Sequence, residues 1–230
     1  AAHDGFDLIV AADTPFVEAG PALKDFGVTV HEVEADLATK HGVDQLLSVV
    51  GDRLVDVLVA NAGHGLGHGF LDQSPDEWQH VINTDITGTL MLIQPIVQRM
   101  VERGEGKVLI TGSIAGHLAG AFQAVYNGSK AFIDSFAAAL NEEIKDSGVT
   151  VTCLKPGATE TNFFHRAEME DTKVGQAKKD DPADVAKAGW EAMKSGEPAV
   201  IYGLKNKMQV AAADVMTEAT TAKLHRAQAE

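Results

Sequence analysis

The sequence predicts an α/β fold built around a parallel, doubly wound sheet with helices on both faces. Six short runs rich in β-branched residues alternate with longer segments of helical period, which is the pattern of repeated βαβ units. The runs are largely apolar, which suggests strands that helices cover on both sides. A chain of 230 residues that is 45% hydrophobic has the size of one such domain, which we expect to span residues 1–230.

The predicted elements can be placed in chain order. Strands are expected at 7–11, 28–33, 55–60, 107–111, 149–154 and 199–202. Two helix starts are marked by a capping residue followed by proline, Ser74-Pro75 and Asp181-Pro182, and Glu77 completes a capping box in the first. Longer helices are expected at 88–100, where Pro95 should kink or divide the helix, and at 124–147.

Composition argues against several classes of function. The chain carries 33 acidic and 19 basic residues, a net charge of −14, and no basic stripe suited to a nucleic-acid backbone. No apolar stretch approaches the roughly 18 residues of a membrane span, and the N-terminal residues lack a secretory pattern. The single cysteine, Cys153, lies in an apolar run and is expected to be a buried free thiol. We therefore expect a soluble cytoplasmic protein that binds neither nucleic acid nor membrane.

Tyr126 and Lys130 are spaced to share one face at the start of the helix 124–147. Residues four apart lie one helical turn apart, but such pairs are common, so the spacing alone favours a surface role. Ser113 shifts the balance, because it follows the strand 107–111 at the carboxyl edge where open α/β sheets bind ligands. The loop between Ser113 and Tyr126 is long enough to bring the two hydroxyls together.

These three side chains suit one kind of proton chemistry. A tyrosine hydroxyl ionises near pH ~10, so work near neutral pH requires a nearby cation that favours the phenolate. Lys130 would supply that charge, and Ser113 would hold a substrate oxygen while Tyr126 exchanges the proton. No side chain carries a hydride, so a redox reaction at this site requires a nicotinamide cofactor.

The motifs resemble those of the short-chain dehydrogenase/reductase family, whose fold is Rossmann-like. The family's serine and its Tyr-x-x-x-Lys are matched by Ser113, Tyr126 and Lys130. Further matches in family order are Asp36-Leu37 after the second strand of this chain, Asn61-Ala62-Gly63 after the next strand, and Pro156-Gly157 with Thr161.

The resemblance implies a function and a role for each matched residue. The family interconverts secondary alcohols and carbonyls with NAD or NADP, and forms homodimers or homotetramers, often through the two long helices that begin near Gly88 and Ala124 here. Tyr126 would be the acid/base, Lys130 would lower its pKa and hold the nicotinamide ribose, and Ser113 would bind the substrate oxygen. Cofactor contacts would come from Asp36, Leu37, Asn61, Ala62, Gly63, Tyr126, Lys130, Pro156, Gly157 and Thr161.

One departure from the family lies at the start of the chain. The family begins with a strand and a glycine-rich turn that binds the pyrophosphate, and this first βα unit is absent from the sequence. The glycine-rich run at 63–69 follows a different strand and is expected to be a flexible loop. In the family's strand order, 3-2-1-4-5-6-7, the absent strand is central. We expect that the sequence begins after a missing segment; alternatively, another segment or chain fills the slot, or the protein is a rearranged relative.

A second departure is Asp85, where the family has a catalytic asparagine. An ionised carboxylate near Lys130 would favour the charged lysine and disfavour the tyrosinate, which predicts reduced activity or a shifted pH optimum. The alternative is that Asp85 is a solvated or locally hydrogen-bonded helix residue.

The expected choice between NAD and NADP rests on Asp13. It follows the first strand, where a carboxylate accepts hydrogen bonds from the adenosine ribose and repels a 2′-phosphate, and we expect no basic residue close by to hold a 2′-phosphate. This favours NAD over NADP, although a simple turn aspartate is an equal alternative.

The remaining expectations concern the substrate side. Residues 162–180 occupy the position of the family's mobile lid, and His117, Leu118, Phe122 and Gln123 are candidates to line the pocket. His64 and His68 have no evident third ligand, so no metal site is expected. Two other functions stay open, a binding module or impaired enzyme that has lost normal dinucleotide binding, and a family-related epimerase.

Overall fold

The computed structural model describes residues 1–229, and each of the six predicted strands is present. They are β1 (Leu8–Ala12), β2 (Val30–Glu34), β3 (Val57–Ala60), β4 (Gly106–Thr111), β5 (Val149–Lys155) and β6 (Ala199–Ile201). All pairings between them are parallel, and the crossovers contain helices, which confirms the α/β fold.

The strands form two sheets. β1 pairs with β2, and a second sheet has the order β3-β4-β5-β6. Within the described residues, the second edge of β1 and the second edge of β3 have no strand partner. The break therefore falls between β1 and β3, where the family order places the strand that the sequence was expected to lack.

The hydrophobic core lies around the centre of the four-stranded sheet. Val108, Ile110 and Val151 are at most 1% exposed. The same cluster includes residues of the helices Lys40–Val50, Thr89–Arg103 and Ala124–Glu143. The expectation that every strand is covered on both faces is wrong for β1 and β2, because no residue of β1 is fully buried and β2 buries only Val33. Val59 of β3 is also 44% exposed.

The helices are α1 (Ala19–Lys24), α2 (Lys40–Val50), α3 (Pro75–Ile82), α4 (Thr89–Arg103), α5 (Ala124–Glu143), α6 (Phe163–Arg166), α7 (Lys173–Gln176), α8 (Pro182–Ser195), α9 (Leu204–Ala213) and α10 (Glu218–Ala229). The capping box of Ser74 and Glu77 is present, and Asp181 caps α8. Pro95 does not divide α4, whose apolar face is buried on both sides of it through Leu92 and Met100. No helix in residues 1–229 is long and apolar enough to cross a membrane.

Candidate active site

Tyr126, Lys130 and Ser113 meet at the carboxyl edge of the four-stranded sheet. α5 presents Tyr126 and Lys130 one turn apart, and both are buried, at 8% and 5% exposure. Ser113 follows β4 and caps a 3-10 turn, Ile114–His117, by accepting a hydrogen bond from the Ala115 amide at 3.1 Å. Its hydroxyl also donates to the Pro156 carbonyl at 3.5 Å. The three predicted residues therefore share one site.

The environment of Tyr126 opposes ionisation. Burial raises the pKa of its hydroxyl above the ordinary value, while the charge of Lys130 and a hydrogen bond from Ser113 act in the lowering direction. Asp85 and Asp134 raise the pKa further through their negative charges. Lys130 thus acts on the phenol in the expected direction, but burial outweighs it in the protein without cofactor.

Lys130 is held as a cation inside the protein. Burial lowers its pKa, but the negative charge of Asp85, followed by those of Tyr126 and Asp134, reverses this, and the net shift is upward. Its Nζ lies 3.7 Å from Asp85 Oδ2 and donates to the Thr111 carbonyl at 3.2 Å. A buried lysine with these partners remains charged at neutral pH.

Asp85 is 1% exposed, which excludes the solvated alternative. It lies in a π-helical segment, Asn83–Gly88, between α3 and α4, and such segments often occur at functional sites. Oδ2 accepts a hydrogen bond from Ser129 Oγ at 2.7 Å, and Oδ1 accepts one from the His64 amide at 2.7 Å. Asp85 therefore joins α5 and the loop after β3 to the lysine.

The predicted cofactor residues lie at strand ends, but their side chains are not all free. Gly63 lies against the catalytic groups, since a Cβ there would sit 3.1 Å from Lys130 Nζ. Asn61 Oδ1 accepts a hydrogen bond from Thr111 Oγ1 at 2.9 Å. Ala62, between Asn61 and Gly63 in the chain, is exposed. Asp36 Oδ1 accepts from the Ala38 amide at 2.9 Å, so this carboxylate caps its own turn.

The remaining predicted contacts lie on both sides of the candidate site. Leu37 is half-buried, and its carbonyl oxygen lies so close to Gly88 that a Cβ on residue 88 would overlap this oxygen. Gly157 is packed in the same way against the Asn206 side chain. Thr161 is exposed and caps the lid segment by accepting from the Phe163 amide at 3.3 Å.

Asp13 has a basic partner that the sequence expectation missed. Arg166, on the lid helix α6, forms a salt bridge with both carboxylate oxygens, and the two side chains are 46% and 36% exposed respectively. The expectation that no basic residue lies near Asp13 is therefore wrong. The two residues are 153 positions apart, so proximity in the sequence could not reveal the pair.

The lid segment contacts the tyrosine directly. Phe163 packs on the Tyr126 ring, with the ring centroids 5.2 Å apart. The glycine-rich loop after β3 contacts the same segment, because Gly67 donates to the Ala167 carbonyl at 2.9 Å. An open cleft of about 340 Å³ lies beside this contact and is lined by His64, Leu66, His80 and Arg166 among others.

Each of the four candidate pocket residues has a contact away from Ser113, Tyr126 and Lys130. His117 turns away from Tyr126, towards Asp134 and Asp214, with Nδ1 2.8 Å from Asp214 Oδ1. Gln123 is buried against Met169 Sδ at 2.8 Å. The Leu118 carbonyl accepts a hydrogen bond from Asn127 Nδ2, and the Phe122 ring lies under the Arg226 guanidinium.

The sequence expectations missed several residues that shape the site: Ser129, Asp134, Arg166 and His64. Asp134 had a detectable signal, since it follows Lys130 by one further helical turn on the same face. The others act through contacts between distant segments.

Comparison with known proteins identifies the family. The family model described as short chain dehydrogenase matches residues 1–172, which is most of the chain. The chain therefore belongs to the short-chain dehydrogenase family.

Individual relatives agree with this assignment. The chain is 29% identical over 158 residues to an uncharacterised oxidoreductase of Staphylococcus epidermidis, covering 68% of this chain and 66% of that protein. It is 34% identical over 142 residues to serine 3-dehydrogenase of Rhizobium radiobacter, covering 60% of this chain and 57% of that protein. The matches thus span less than two thirds of the length of these two relatives.

The fold is shared with solved structures. A short-chain dehydrogenase from Sphingobium yanoikuyae in complex with NADPH superposes with a TM-score of 0.81. The superposition covers 94% of this chain and 89% of that one, at 24% sequence identity. The Rossmann-like α/β fold is therefore shared across nearly all of the chain.

Proposed function

We propose that the protein catalyses the reversible NAD(P)-dependent oxidation of a secondary alcohol to a carbonyl compound. The observation that carries this proposal is the convergence of Ser113, Tyr126 and Lys130 in one buried site, where Lys130 and Ser113 both act to lower the pKa of the phenol. Membership of the family and the NADPH complex of a structural neighbour support the same reaction class.

In the proposed mechanism, Tyr126 exchanges the hydroxyl proton of the substrate. In oxidation the phenolate accepts the proton of the alcohol, and in reduction the phenol donates a proton to the developing alkoxide. Ser113 donates a hydrogen bond to the same substrate oxygen and fixes its distance from Tyr126. A bound nicotinamide supplies or accepts the hydride. The charge of Lys130 stabilises the phenolate form that oxidation requires.

The residues around Lys130 suit a nicotinamide ribose. Gly63 has no side chain, so its backbone lies close to the Lys130 ammonium. A Cβ on residue 63 would lie 3.1 Å from Lys130 Nζ. The Lys130 ammonium would hold the ribose hydroxyls, and Asn61, Ala62, Pro156, Gly157 and Thr161 lie at the same edge of the sheet. Asp36 and Leu37 would border the adenine from the end of β2.

The proposed preference for NAD rests on Asp13. Its carboxylate stands just after β1 and would repel a 2′-phosphate. Arg166 opposes that preference, because its guanidinium pairs with the same carboxylate and suits a phosphate as well. We propose that NAD is preferred by a small margin.

A second candidate is a binding module or impaired enzyme with weak dinucleotide affinity. The salt bridge from Arg166 occupies Asp13, and burial outweighs Lys130 in setting the pKa of Tyr126. Both observations favour a site that is not ready for catalysis in the absence of a ligand. Titration of the folded protein with NADH and NADPH separates the candidates, since the binding module would show no saturation in the micromolar range.

We also propose that the chain forms a homodimer or homotetramer through α4 and α5. Phe132 on α5 is 41% exposed and stacks on Phe136, and Val101 on α4 is 37% exposed. Exposed apolar side chains on adjacent helices favour association. A mass in solution of one chain, 24.3 kDa, measured by light scattering would contradict this proposal.

The substitution Tyr126→Phe tests the proposed reaction. It should lower the rate of NAD(P)H formation from a panel of secondary alcohols by at least about 100-fold, because the proton acceptor is lost. The ring contact with Phe163 is retained, so the fold should be unaffected. Tyr202→Phe is the matched control, since the chain contains two tyrosines. Equal rates for the two variants would rule out Tyr126 as the acid/base.

A further inference from the structure

A third polar side chain continues the catalytic face of α5. Tyr126, Lys130 and Asp134 follow one another at intervals of one helical turn, and Asp134 is 8% exposed. Its carboxylate lies behind the loop that carries Ser113. Oδ1 accepts from the Ser113 amide at 3.4 Å and from Cys153 Sγ at 3.4 Å. The carboxylate thus contacts the backbone of a candidate catalytic residue.

Two glycines make room for this carboxylate. A Cβ at Gly112 would overlap Asp134 Oδ1, and a Cβ at Gly116 would lie 2.9 Å from Oδ2, closer than real Cβ contacts. The two glycines flank Ser113 along the chain. Asp134 therefore fits into the back of the loop 112–117 only because both positions lack a side chain.

Charged groups from three other segments surround Asp134. Lys155 Nζ, at the end of β5, lies 3.3 Å from Oδ2 and 3.1 Å from His117 Nε2. His117 Nε2 is 3.7 Å from the same carboxylate oxygen, and the other ring nitrogen contacts Asp214 after α9. Lys155 also precedes Pro156, whose carbonyl accepts from Ser113 Oγ and the Ile114 amide. The ion pair therefore joins α5 to both segments that contact Ser113.

Burying this pair is unfavourable as a contribution to stability alone. Burial raises the pKa of the Asp134 carboxyl above its ordinary value, and the charge of Lys155 offsets only part of that shift. Replacing buried ion pairs by apolar residues is often neutral or stabilising. The pair is better explained by what it holds in place.

We propose that Asp134 is a positioning residue for Ser113: its carboxylate, paired with Lys155 and seated between Gly112 and Gly116, holds the loop 112–117 so that the Ser113 hydroxyl lies where it can donate to the ionised Tyr126 oxygen. This inference rests on the proposed function of Ser113 and Tyr126. It assigns to Asp134 no contact with substrate or cofactor.

Ionisation of Tyr126 gives a direct readout that needs no substrate. In a Tyr202→Phe background Tyr126 is the only tyrosine, so absorbance of the phenolate during a pH titration reports on it alone. Ser113→Ala should raise the titration midpoint by about 0.5 unit or more, because a hydrogen bond worth roughly 0.5–1.5 kcal/mol to the phenolate is removed. Circular dichroism at each pH verifies that the protein remains folded.

The decisive comparison is the effect of Ser113→Ala in different Asp134 backgrounds. In Asp134→Ala, the shift of the Tyr126 midpoint caused by Ser113→Ala should fall below half of its value in the parent, because the Ser113 hydroxyl is already displaced. In Asp134→Asn, which retains Oδ1 as an acceptor but loses the ion pair with Lys155, the effect should lie between its values in the parent and in Asp134→Ala. The direct effect of the Asp134 charge on Tyr126 is the same with and without Ser113 and cancels in this cycle. If Asp134→Ala does not fold, Lys155→Gln removes the pairing charge and should reduce the effect in the same direction.

Two results would overturn the inference. One is a Ser113→Ala effect of equal size in the parent and in Asp134→Ala or Lys155→Gln, which would mean that the loop holds Ser113 without the carboxylate. The other is no Ser113→Ala effect in the parent, which would leave no contact to preserve. The proposed function fails separately, through full turnover by Tyr126→Phe.

Discussion

The two sheets contribute different parts of the candidate site and differ in how firmly they are packed. In the four-stranded sheet, β4 and β5 are buried and lead directly to Ser113 and Pro156, beside Tyr126 and Lys130. In the two-stranded sheet, β1 is partly exposed along its whole length and leads to Asp13, whose carboxylate is paired with a surface arginine. The residues proposed to exchange the proton are thus held by the core, whereas Asp13, proposed to recognise the nucleotide, depends on a contact that solvent can reach.

The largest expected effect comes from truncating isoleucines in the two sheets. Ile110 in β4 is 1% exposed, so Ile110→Ala should lower the free energy of unfolding by about 2–5 kcal/mol. Ile9 in β1 is only partly buried, and Ile9→Ala should cost less than half as much. Urea denaturation followed by circular dichroism measures both values. Equal losses would show that β1 is packed as firmly as β4 and would remove the contrast between the sheets.

A smaller effect is expected at the salt bridge between the lid and β1. Arg166→Gln should shift the ratio of NADPH to NADH dissociation constants by up to about fivefold in favour of NADH, since exposed ion pairs are worth roughly 1 kcal/mol or less. Removing the guanidinium frees Asp13 for a ribose and removes a partner for a 2′-phosphate. Fluorescence titration of the bound nicotinamide measures both constants.

The matched control for this experiment is Lys173→Gln. It removes a positive charge from the same lid segment, but Lys173 donates to the Ala227 carbonyl and has no contact with Asp13. An unchanged ratio in Arg166→Gln, or the same change in both variants, would show that Arg166 does not act through Asp13.

The sequence predicts local features of the fold well. Each strand stands within a few residues of its expected position, because an apolar β-branched run bounded by turns has few alternatives. The helix α5 begins at the predicted residue 124 and ends at Glu143 instead of 147, since Ile144 leaves helical geometry and Gly148 adopts φ 80° before β5. Cys153 is buried as expected, and burial raises the pKa of its thiol to about 12.

The part of the candidate site that follows from motif spacing was predictable from the sequence. Ser113, Tyr126 and Lys130 converge as expected, because strand ends and the following helix start meet at one edge of a parallel sheet. The pairing of Asp13 with Arg166 joins segments 153 positions apart and leaves no local signal. The balance of burial against charge at Tyr126 also depends on packing, which residue types alone do not specify.

The proposed acid/base role of Tyr126 depends most on the opposite effects of Lys130 and Asp85 on the pKa of its hydroxyl. One titration measures both effects. In the Tyr202→Phe background, Asp85→Asn should move the phenolate transition of Tyr126 to lower pH, because a negative charge beside the phenolate is removed. Lys130→Met should move it to higher pH, because the neighbouring cation that stabilises the phenolate is lost. Shifts in these two directions would confirm a buried phenol whose ionisation is set by its two charged neighbours. Unchanged or reversed transitions would contradict the proposed acid/base role of the site.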